Sequence, residues 1–545
     1  MDSRKPKKIA ACISKLPPCN AICPAGEDIQ RWIFLTKKGE FLRAWETILE
    51  SNPFPASHGR ACYHYCESRC NRIQYDSTVN IHCIERFLGD LAIANDWKAR
   101  TPKSSTGKKV LVVGAGPAGL SAAYYLRLLG HEVTIYEALS MAGGTMMFGI
   151  PAYRLPKNVL AKEIERILET EVKIVYNRRV TDILAEKKAG NFDAVFLALG
   201  AQLGNKLAIN INTDNLILDA IDYLRTVTFG SPPNLGRCLA VYGGGNTAID
   251  VARTAIRFGI EKVVVIYHRS QDRMSAFHHE VADAMEEGVK FLFLRSILEF
   301  NGNSLILSVN ELDDRGRPKN TGYVEEIEAN SLIFALNQNP DTDFLRSVSD
   351  IDVQSNGLVK IDSFFMTGCN GVFAGGDMIP GERSMAVAVG VGKRAAYYID
   401  AYLRDTIFTR NSGNSDPALF ERLHISSDLS SFNKLNISEE RSEQGLEKSL
   451  DSVERVRSFD EVLQNLSQAE ILREINRCFS CGNCFGCGKC YNTCPVDGVI
   501  EYEGNYGTVT DIDGNNCIGC GRCFKVCPCG AITMVDYGSY CHCEE

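Results

Sequence analysis

The stretch Lys108-Lys-Val-Leu-Val-Val-Gly114-Ala-Gly116-Pro-Ala-Gly119 decides the architecture of this chain. Val110 to Val113 is short and wholly apolar, the pattern of a parallel strand buried on both faces. The glycines follow at once, a helical stretch runs through Leu129, and a second strand, Glu132 to Tyr136, ends in Glu137. In that context the glycines form a dinucleotide-binding fingerprint. Gly114 serves the tight turn, Gly116 lets the backbone approach a pyrophosphate, and Gly119 lets helix and strand pack closely. The helix N-terminus stabilises the phosphates, and Glu137 is placed to accept ribose hydroxyls.

A second unit of this kind starts at Cys238. Cys238 to Tyr242 reads as a strand, Gly243-Gly-Gly245-Asn246 as the turn, and Thr247 to Phe258 as the helix. The next strand, Lys262 to Tyr267, ends without an acid, in His268, Arg269 and then Arg273. Basic residues here pair with the 2′-phosphate of NADP, which an acid would repel; the other reading is solvated loop arginines. NADPH is therefore favoured, with NADH left open. Further on, Gly371-Val-Phe-Ala-Gly375-Gly376-Asp377 is a strand ending in glycines and an acid, followed by a helix from about Ser384 to Tyr402.

The chain of 545 residues is long enough for three or four domains. Neither its net charge of −8 nor its aromatic content suggests a nucleic-acid surface. The lysines at Lys5, Lys7 and Lys8 read as a solvated tail. The most apolar long stretch, Val110 to Gly130, is broken by glycines, Pro117 and Arg127, so no membrane span is expected. The N-terminus is charged with no apolar run behind it, so no signal peptide is expected either. Of the 22 cysteines only Cys238 and Cys369 lie between Cys83 and Cys478. Such clustering at the two ends suits metal-ligating thiolates in a reducing cytoplasm better than disulfides.

Near the C-terminus one spacing occurs twice: Cys484, Cys487, Cys490 and Cys494-Pro495, then Cys517, Cys520, Cys523 and Cys527-Pro528. In this C-x2-C-x2-C-x3-C-P run three thiolates hold one [4Fe-4S] cluster and the fourth reaches the other. Crossed ligation predicts one cluster on Cys484, Cys487, Cys490 and Cys527, and another on Cys517, Cys520, Cys523 and Cys494. C-x2-C pairs also bind zinc, but two complete copies with the proline favour iron–sulfur ligation. The segment after Cys478 carries eight acidic residues against Lys489, Arg522 and Lys525, a balance that steers a basic redox partner or serves solubility alone. Cys478, Cys481, Cys541 and Cys543 fall outside the two-cluster assignment; they are either a further metal site or frayed termini.

The order of first fingerprint, Ala198-Leu-Gly200, second fingerprint and the Gly375-Gly376-Asp377 segment resembles the two-dinucleotide-binding-domain flavoproteins. That resemblance implies FAD on the first fold, with Gly144, Gly200, Gly376 and Asp377 among its contacts and Asp377 near the ribityl-phosphate region. It also implies NAD(P)H on an inserted second fold, contacted through Gly243, Gly245, Asn246, Arg269 and Arg273. Disulfide reductases of this architecture need a C-x2-C or C-x4-C pair beside the flavin, and no such pair lies between Cys83 and Cys478.

At the N-terminus, Cys19-x3-Cys23-Pro24 is followed by Cys62-x3-Cys66-x3-Cys70 and by Val79-Asn-Ile-His-Cys-Ile-Glu85. Together with Met147-Phe-Gly-Ile-Pro-Ala-Tyr-Arg-Leu-Pro156, this is similar to the NADPH-dependent glutamate synthase small-subunit family and to the N-terminal part of dihydropyrimidine dehydrogenases. The resemblance implies a helical domain with two [4Fe-4S] clusters. One would use Cys23, Cys62, Cys66 and Glu85; the other would use Cys19, Cys70 and an upstream C-x2-C. That upstream pair is missing, since only Cys12 precedes Cys19. One N-terminal cluster is expected; a three-thiolate cluster, a substitute in Cys83, or no second cluster stay open. Arg477-Cys-Phe-Ser-Cys-Gly-Asn-Cys484 resembles the start of the ferredoxin module appended to some relatives, including the reductase associated with dissimilatory sulfite reductase.

The expected fold is α/β, with two Rossmann-like dinucleotide-binding domains flanked by an N-terminal helical Fe-S domain and a C-terminal ferredoxin-like α+β domain. The expected boundaries are 1–100 for the helical Fe-S domain, 105–236 and 359–405 for the FAD domain, and 237–358 for the inserted NAD(P)H domain. A linker with helical segments, such as that from Phe459 to Leu472, spans 406–470, and the 2[4Fe-4S] domain spans 471–545. The expected function is a cytoplasmic NAD(P)H-dependent oxidoreductase. It passes electrons through FAD and clusters to a ferredoxin or a partner catalytic subunit. A ferredoxin-dependent NAD(P)+ reductase, an electron-bifurcating subunit and a passive relay are the alternatives.

Overall fold

In the computed structural model, residues 6–12, 15–205, 207, 209–211, 216–406, 429–435, 437, 441–504 and 507–537 are described. They divide into two units, one of 101–404 with 448–464, the other of 1–100 with 405–447 and 465–545.

In the first unit Val110 to Val113 are all buried and form the middle of a five-stranded parallel sheet. The order is Val372–Ala374, Ala194–Leu197, Lys109–Val113, Glu132–Tyr136 and Lys173–Val175, with Val113 registered between Tyr136 and Leu197. Helices Pro117–Leu128 and Met385–Leu403 pack so closely that a Cβ on Gly392 would lie 2.3 Å from the Ala118 carbonyl. The Ser121 hydroxyl donates to the Val389 carbonyl at 2.8 Å across that contact.

The insert has its own parallel sheet, ordered Lys290–Phe293, Lys262–Tyr267, Cys238–Tyr242, Ser331–Phe334 and Ile217–Asp219. An antiparallel ribbon, Arg295–Phe300, Ser304–Leu312 and Pro318–Glu328, covers one face of it through Phe300, Leu305 and Leu307. Ile217–Asp219 pairs in the sheet of the insert, while Leu345 and Ile351 pack into the core of the first sheet.

Residues 448–464 fold back onto this unit. Lys448–Ser449 pairs with Leu463–Gln464, the Val462 amide donates to the Tyr153 carbonyl at 2.9 Å, and Phe459 meets the rings of Tyr153 and Phe258. The helical stretch expected from Phe459 therefore begins only at Gln468, where Ser467 and Glu470 form a capping box.

In the second unit helices Ile29–Lys37, Phe41–Leu49 and Ile81–Ala94 share a core with Gln468–Arg477, built on Trp32, Ile48, Leu88, Ile471 and Ile475. The cysteine-rich module has the hairpin Val499–Gly504 with Gly507–Ile512, and short helices Lys489–Thr493 and Arg522–Val526. Its last strand, Ile532–Asp536, pairs antiparallel with Lys8–Cys12. The expected solvated tail is thus an edge strand from Lys8 onward. Ile9 and Ala10 are buried and Lys8 stands opposite Asp536, because an apolar segment covers a sheet edge that would otherwise be open. Lys5 lies outside the described residues.

Candidate functional site

The first fingerprint turn is shaped by close backbone approach. Gly114 has φ +103°, where a Cβ would lie 2.4 Å from the Ala198 carbonyl oxygen, and a Cβ on Gly119 would lie 2.0 Å from the Gly114 oxygen. By contrast a Cβ on Gly116 would meet only the Gly144 Cα, at 3.9 Å, while a Cβ on Gly144 would lie 2.7 Å from the Gly116 Cα. Side chains at either position would crowd the helix N-terminus, where a pyrophosphate is held in such folds. Glu137 accepts from the Ala115 amide at 2.7 Å and the Leu139 amide at 2.8 Å, so it also braces the turn. A carboxylate has about four acceptor positions, which leaves capacity for ribose hydroxyls. Burial holds the Glu137 carboxyl up against the lowering effect of these amides. Gly376 has φ +73°, and the neighbouring Asp377 carboxyl is raised by burial with Arg383 opposing. Gly200 has φ +68° just after Ala194–Leu197. These groups converge at the C-terminal ends of the parallel strands, where open α/β sheets bind ligands.

The second turn is equally tight, with a Cβ on Gly243 falling 2.2 Å from the Ala335 oxygen. Gly245 precedes the helix Asn246–Arg257, and the Asn246 side chain accepts from the Phe277 amide at 3.0 Å, fixing the following loop. Arg269 has its Nε buried without a hydrogen-bond partner among the described residues. The orphaned donor suits an anionic ligand. Arg273 is exposed and faces Asp272 at 3.5 Å. Burial and the Arg269 charge hold the His268 imidazole down, so it adds no charge near neutral pH.

An element that sequence reading missed joins the two folds. Arg154, from the Ile150–Pro156 stretch, donates to both oxygens of Asp250 at 2.9 Å and pairs with Glu280 at 2.9 Å. Arg253 and Arg257 stack over the Tyr153 ring and converge on Glu287. Arg455, from the returning segment, completes the set against Glu287 at 3.1 Å and Glu286 at 2.7 Å. Helical spacing on Asn246–Arg257 puts Asp250, Arg253 and Arg257 on one face. Their partners come from elsewhere in the chain.

In the helical domain Cys23, Cys62 and Cys66 gather with Glu85. The Cys62 thiol is raised by burial and then by Glu85 and Cys23; the Cys66 thiol is raised by burial and then by Glu67, Cys23 and Cys62. Glu85 accepts from Asn52 at 2.8 Å and faces His58 at 3.1 Å. Glu27, another buried acid beside it, is pushed up to about 8 by burial and by Glu85. Buried thiols and carboxylates whose charged forms repel one another suit a cationic metal core. Cys19 and Cys70 line a neighbouring cavity.

In the C-terminal module Cys484, Cys487, Cys490 and Cys527 line one cavity, and Cys494, Cys517, Cys520 and Cys523 line another. The helices Lys489–Thr493 and Arg522–Val526 start from left-handed glycines, Gly488 and Gly521, which turn the preceding cysteine loops inward. Cys12 and Cys529 also border the first cavity, and the Cys12 thiol donates to the Thr510 carbonyl at 3.2 Å. Every cysteine among the described residues carries a free thiol. Cys541 and Cys543 lie outside the described residues. Among the described residues no helix is long and apolar enough to cross a membrane.

Fold and site together define a two-domain nucleotide-binding flavoprotein framed by thiol-lined cluster cavities. The chain belongs to the pyridine nucleotide-disulphide oxidoreductase family, whose pattern matches residues 108–392. Residues 5–97 match the 4Fe-4S domain II of dihydropyrimidine dehydrogenase, and residues 483–531 match a 4Fe-4S dicluster domain. The chain is 32% identical over 510 residues to the NADP(+)-dependent formate dehydrogenase subunit beta of Moorella thermoacetica, covering 85% of this chain and 70% of that one. It is 34% identical to the NADPH-Fe(3+) oxidoreductase subunit beta of Geobacter sulfurreducens, covering 74% and 66%. It is 32% identical to the glutamate synthase [NADPH] small chain of Azospirillum brasilense, covering 71% and 87%. The protein is an oxidoreductase that uses a pyridine nucleotide, FAD and [4Fe-4S] clusters.

Proposed function

We propose that this chain is the NADPH-oxidising subunit of a larger redox assembly, converting a two-electron donor into single electrons for a partner. The observation that carries the reading is one chain joining two nucleotide cradles to thiol-lined cavities at both of its ends. The relatives named as a beta subunit or small chain support a partner polypeptide, either a catalytic subunit or a ferredoxin.

A bound flavin would supply the exchange between hydride transfer from a nicotinamide and single-electron transfer to clusters, which cannot accept hydride. The residues of the chain bind and position. Gly114, Gly116, Gly119 and Gly144 would admit the FAD pyrophosphate, Glu137 would hold the ribose, and Gly200, Gly376 and Asp377 would contact the rest of the FAD. Gly243, Gly245 and Asn246 seat the second dinucleotide, while Arg269 and Arg273 neutralise its 2′-phosphate. Cys23, Cys62, Cys66 and Glu85 hold one N-terminal cluster. In the ferredoxin module the crossed sets are Cys484, Cys487, Cys490 with Cys527, and Cys517, Cys520, Cys523 with Cys494. Thiolates committed to clusters require a reducing compartment, which makes the cytoplasm the proposed location.

Anaerobic titration of the purified protein with NADPH, followed by visible absorption, tests this. Bleaching of the flavin followed by reduction of the clusters is expected, with NADH the poorer donor. A flavin that stays oxidised under excess NADPH would sink the proposal.

A further inference from the structure

The missing upstream C-x2-C has a counterpart far along the chain. Cys19 and Cys70 line their cavity together with Cys478 and Cys481, themselves a C-x2-C. We propose that Cys19 and Cys70, with Cys478 and Cys481 from the segment leading into the ferredoxin module, ligate a further [4Fe-4S] cluster. This deepens the cluster reading above and rests on it.

The contributing segment is built to be there. Helix Gln468–Arg477 buries Ile471 and Ile475 in the core of the N-terminal helices. Glu474 accepts from the Asn80 amide at 3.0 Å and the Gly445 amide at 2.7 Å. Arg477 donates to the Thr78 carbonyl at 2.8 Å and the Ser77 carbonyl at 2.9 Å, while Arg72 donates to the Arg477 carbonyl. Beyond the helix, Gln30 donates to the carbonyls of Ser480 at 3.0 Å and Asn483 at 3.1 Å. Phe479 sits beneath the Arg72 guanidinium, 4.8 Å from its ring centre. A loop tied at so many points presents its thiols at low entropic cost on binding.

The loop geometry is that of a ligand turn. Ser480, between the two cysteines, has φ +52°, an uncommon left-handed state for a residue other than glycine. Its amide points at the Cys478 sulfur at 3.4 Å. Gly482 follows at φ +98°, where a Cβ would lie 2.3 Å from the Lys15 carbonyl oxygen. Prolines and aliphatic side chains, Pro17, Ile29, Ile33 and Ile81 among them, make up the remaining wall.

Two alternatives fit less well. Tetrahedral zinc at about 2.3 Å from each thiolate would bring sulfurs to roughly 3.8 Å from one another. No three of these sulfurs lie within 4.8 Å of one another. Cys83, the other substitute, instead faces His82 at 3.3 Å and lies beside Glu447 and Glu67, and Cys12 belongs to the ferredoxin edge strand.

The placement gives the site a role. Its ligands are chain neighbours of both flanking sites: Cys19 and Cys70 stand four residues from Cys23 and Cys66, and Cys481 stands three residues before Cys484. Three residues of chain span at most about 11 Å, so the site bridges the N-terminal cluster and the ferredoxin pair.

The test is a metal and sulfide count on the full-length protein, purified anaerobically, with EPR of the dithionite-reduced form. The wild type is expected to hold about sixteen iron atoms per FAD, four clusters of four. Cys478→Ser with Cys481→Ser is expected to retain FAD, drop to about twelve iron atoms and lose one cluster signal. Cys19→Ser, at the other end of the chain, is expected to lose that same signal. Unchanged iron in the double variant, loss of zinc in place of iron, or loss of different signals from the two ends would overturn the assignment. Should the double variant not be recovered folded, the wild-type count decides, about sixteen supporting and about twelve refuting. The count involves no NADPH turnover, so it can fail while the reductase reading stands.

Discussion

Arg269 pairs a buried, unpartnered Nε with a position at the end of the second nucleotide strand, where a 2′-phosphate would arrive. A charge-assisted hydrogen bond of this kind contributes about 1.5–3 kcal/mol. Arg269→Ala should therefore raise KM for NADPH by roughly tenfold to a hundredfold while leaving that for NADH almost unmoved. Steady-state kinetics with both nucleotides reads this directly, and equal losses on both would show that the arginine holds the fold and not the phosphate. Glu137 teaches a related lesson at the same scale. Its position after Glu132–Tyr136 reads as a ribose acceptor, and its bonds to the Ala115 and Leu139 amides make it a brace for the turn as well. A carboxylate's spare lone pairs permit both roles.

Among the elements, the helix Pro117–Leu128 is the most constrained. It is wedged between its own strand and Met385–Leu403, and a Cβ on Gly119 would sit 2.0 Å from the Gly114 carbonyl. Gly119→Ala should push the helix N-terminus off the turn and leave protein purified with most of its flavin missing, at an overpacking cost of about 1–3 kcal/mol. The ratio of flavin to protein absorbance measures it; full flavin content would mean that the turn relaxes freely. The glycine spacing announced this element because its cause is local, three glycines within one turn of chain. The antiparallel edge strand Lys8–Cys12 was not announced. Its partner, Ile532–Asp536, lies at the other end of the sequence, and a charged, short segment reads as a tail until a sheet edge needs covering.

At the scale of the whole flavoprotein unit, the segment 448–464 touches Tyr153 of the first fold through Phe459 and Val462 and reaches the second through Arg455, whose side chain is 2% exposed. Arg455→Ala removes one cation from a buried network in which Glu287 keeps Arg253 and Arg257. The cost should fall at the low end for a broken buried pair, about 3 kcal/mol. Denaturant unfolding followed by flavin release should move to lower concentration, and an unmoved midpoint would make the segment a bystander. This contact escaped sequence reading because Arg455 sits in a polar, serine-rich stretch with nothing local to satisfy it.

The sequence by itself determined the two dinucleotide folds, their order, the insertion of one in the other and the paired cluster spacing near the C-terminus. All of these are written in residues a few positions apart, where backbone geometry and ligand reach act directly. Tertiary structure alone decided the clasp of Arg455 and the gathering of Cys478 and Cys481 beside Cys19 and Cys70. Those depend on chain closure over hundreds of residues, which burial of Ile471 and Ile475 and the bonds of Glu474 and Arg477 stabilise, and which no local pattern encodes.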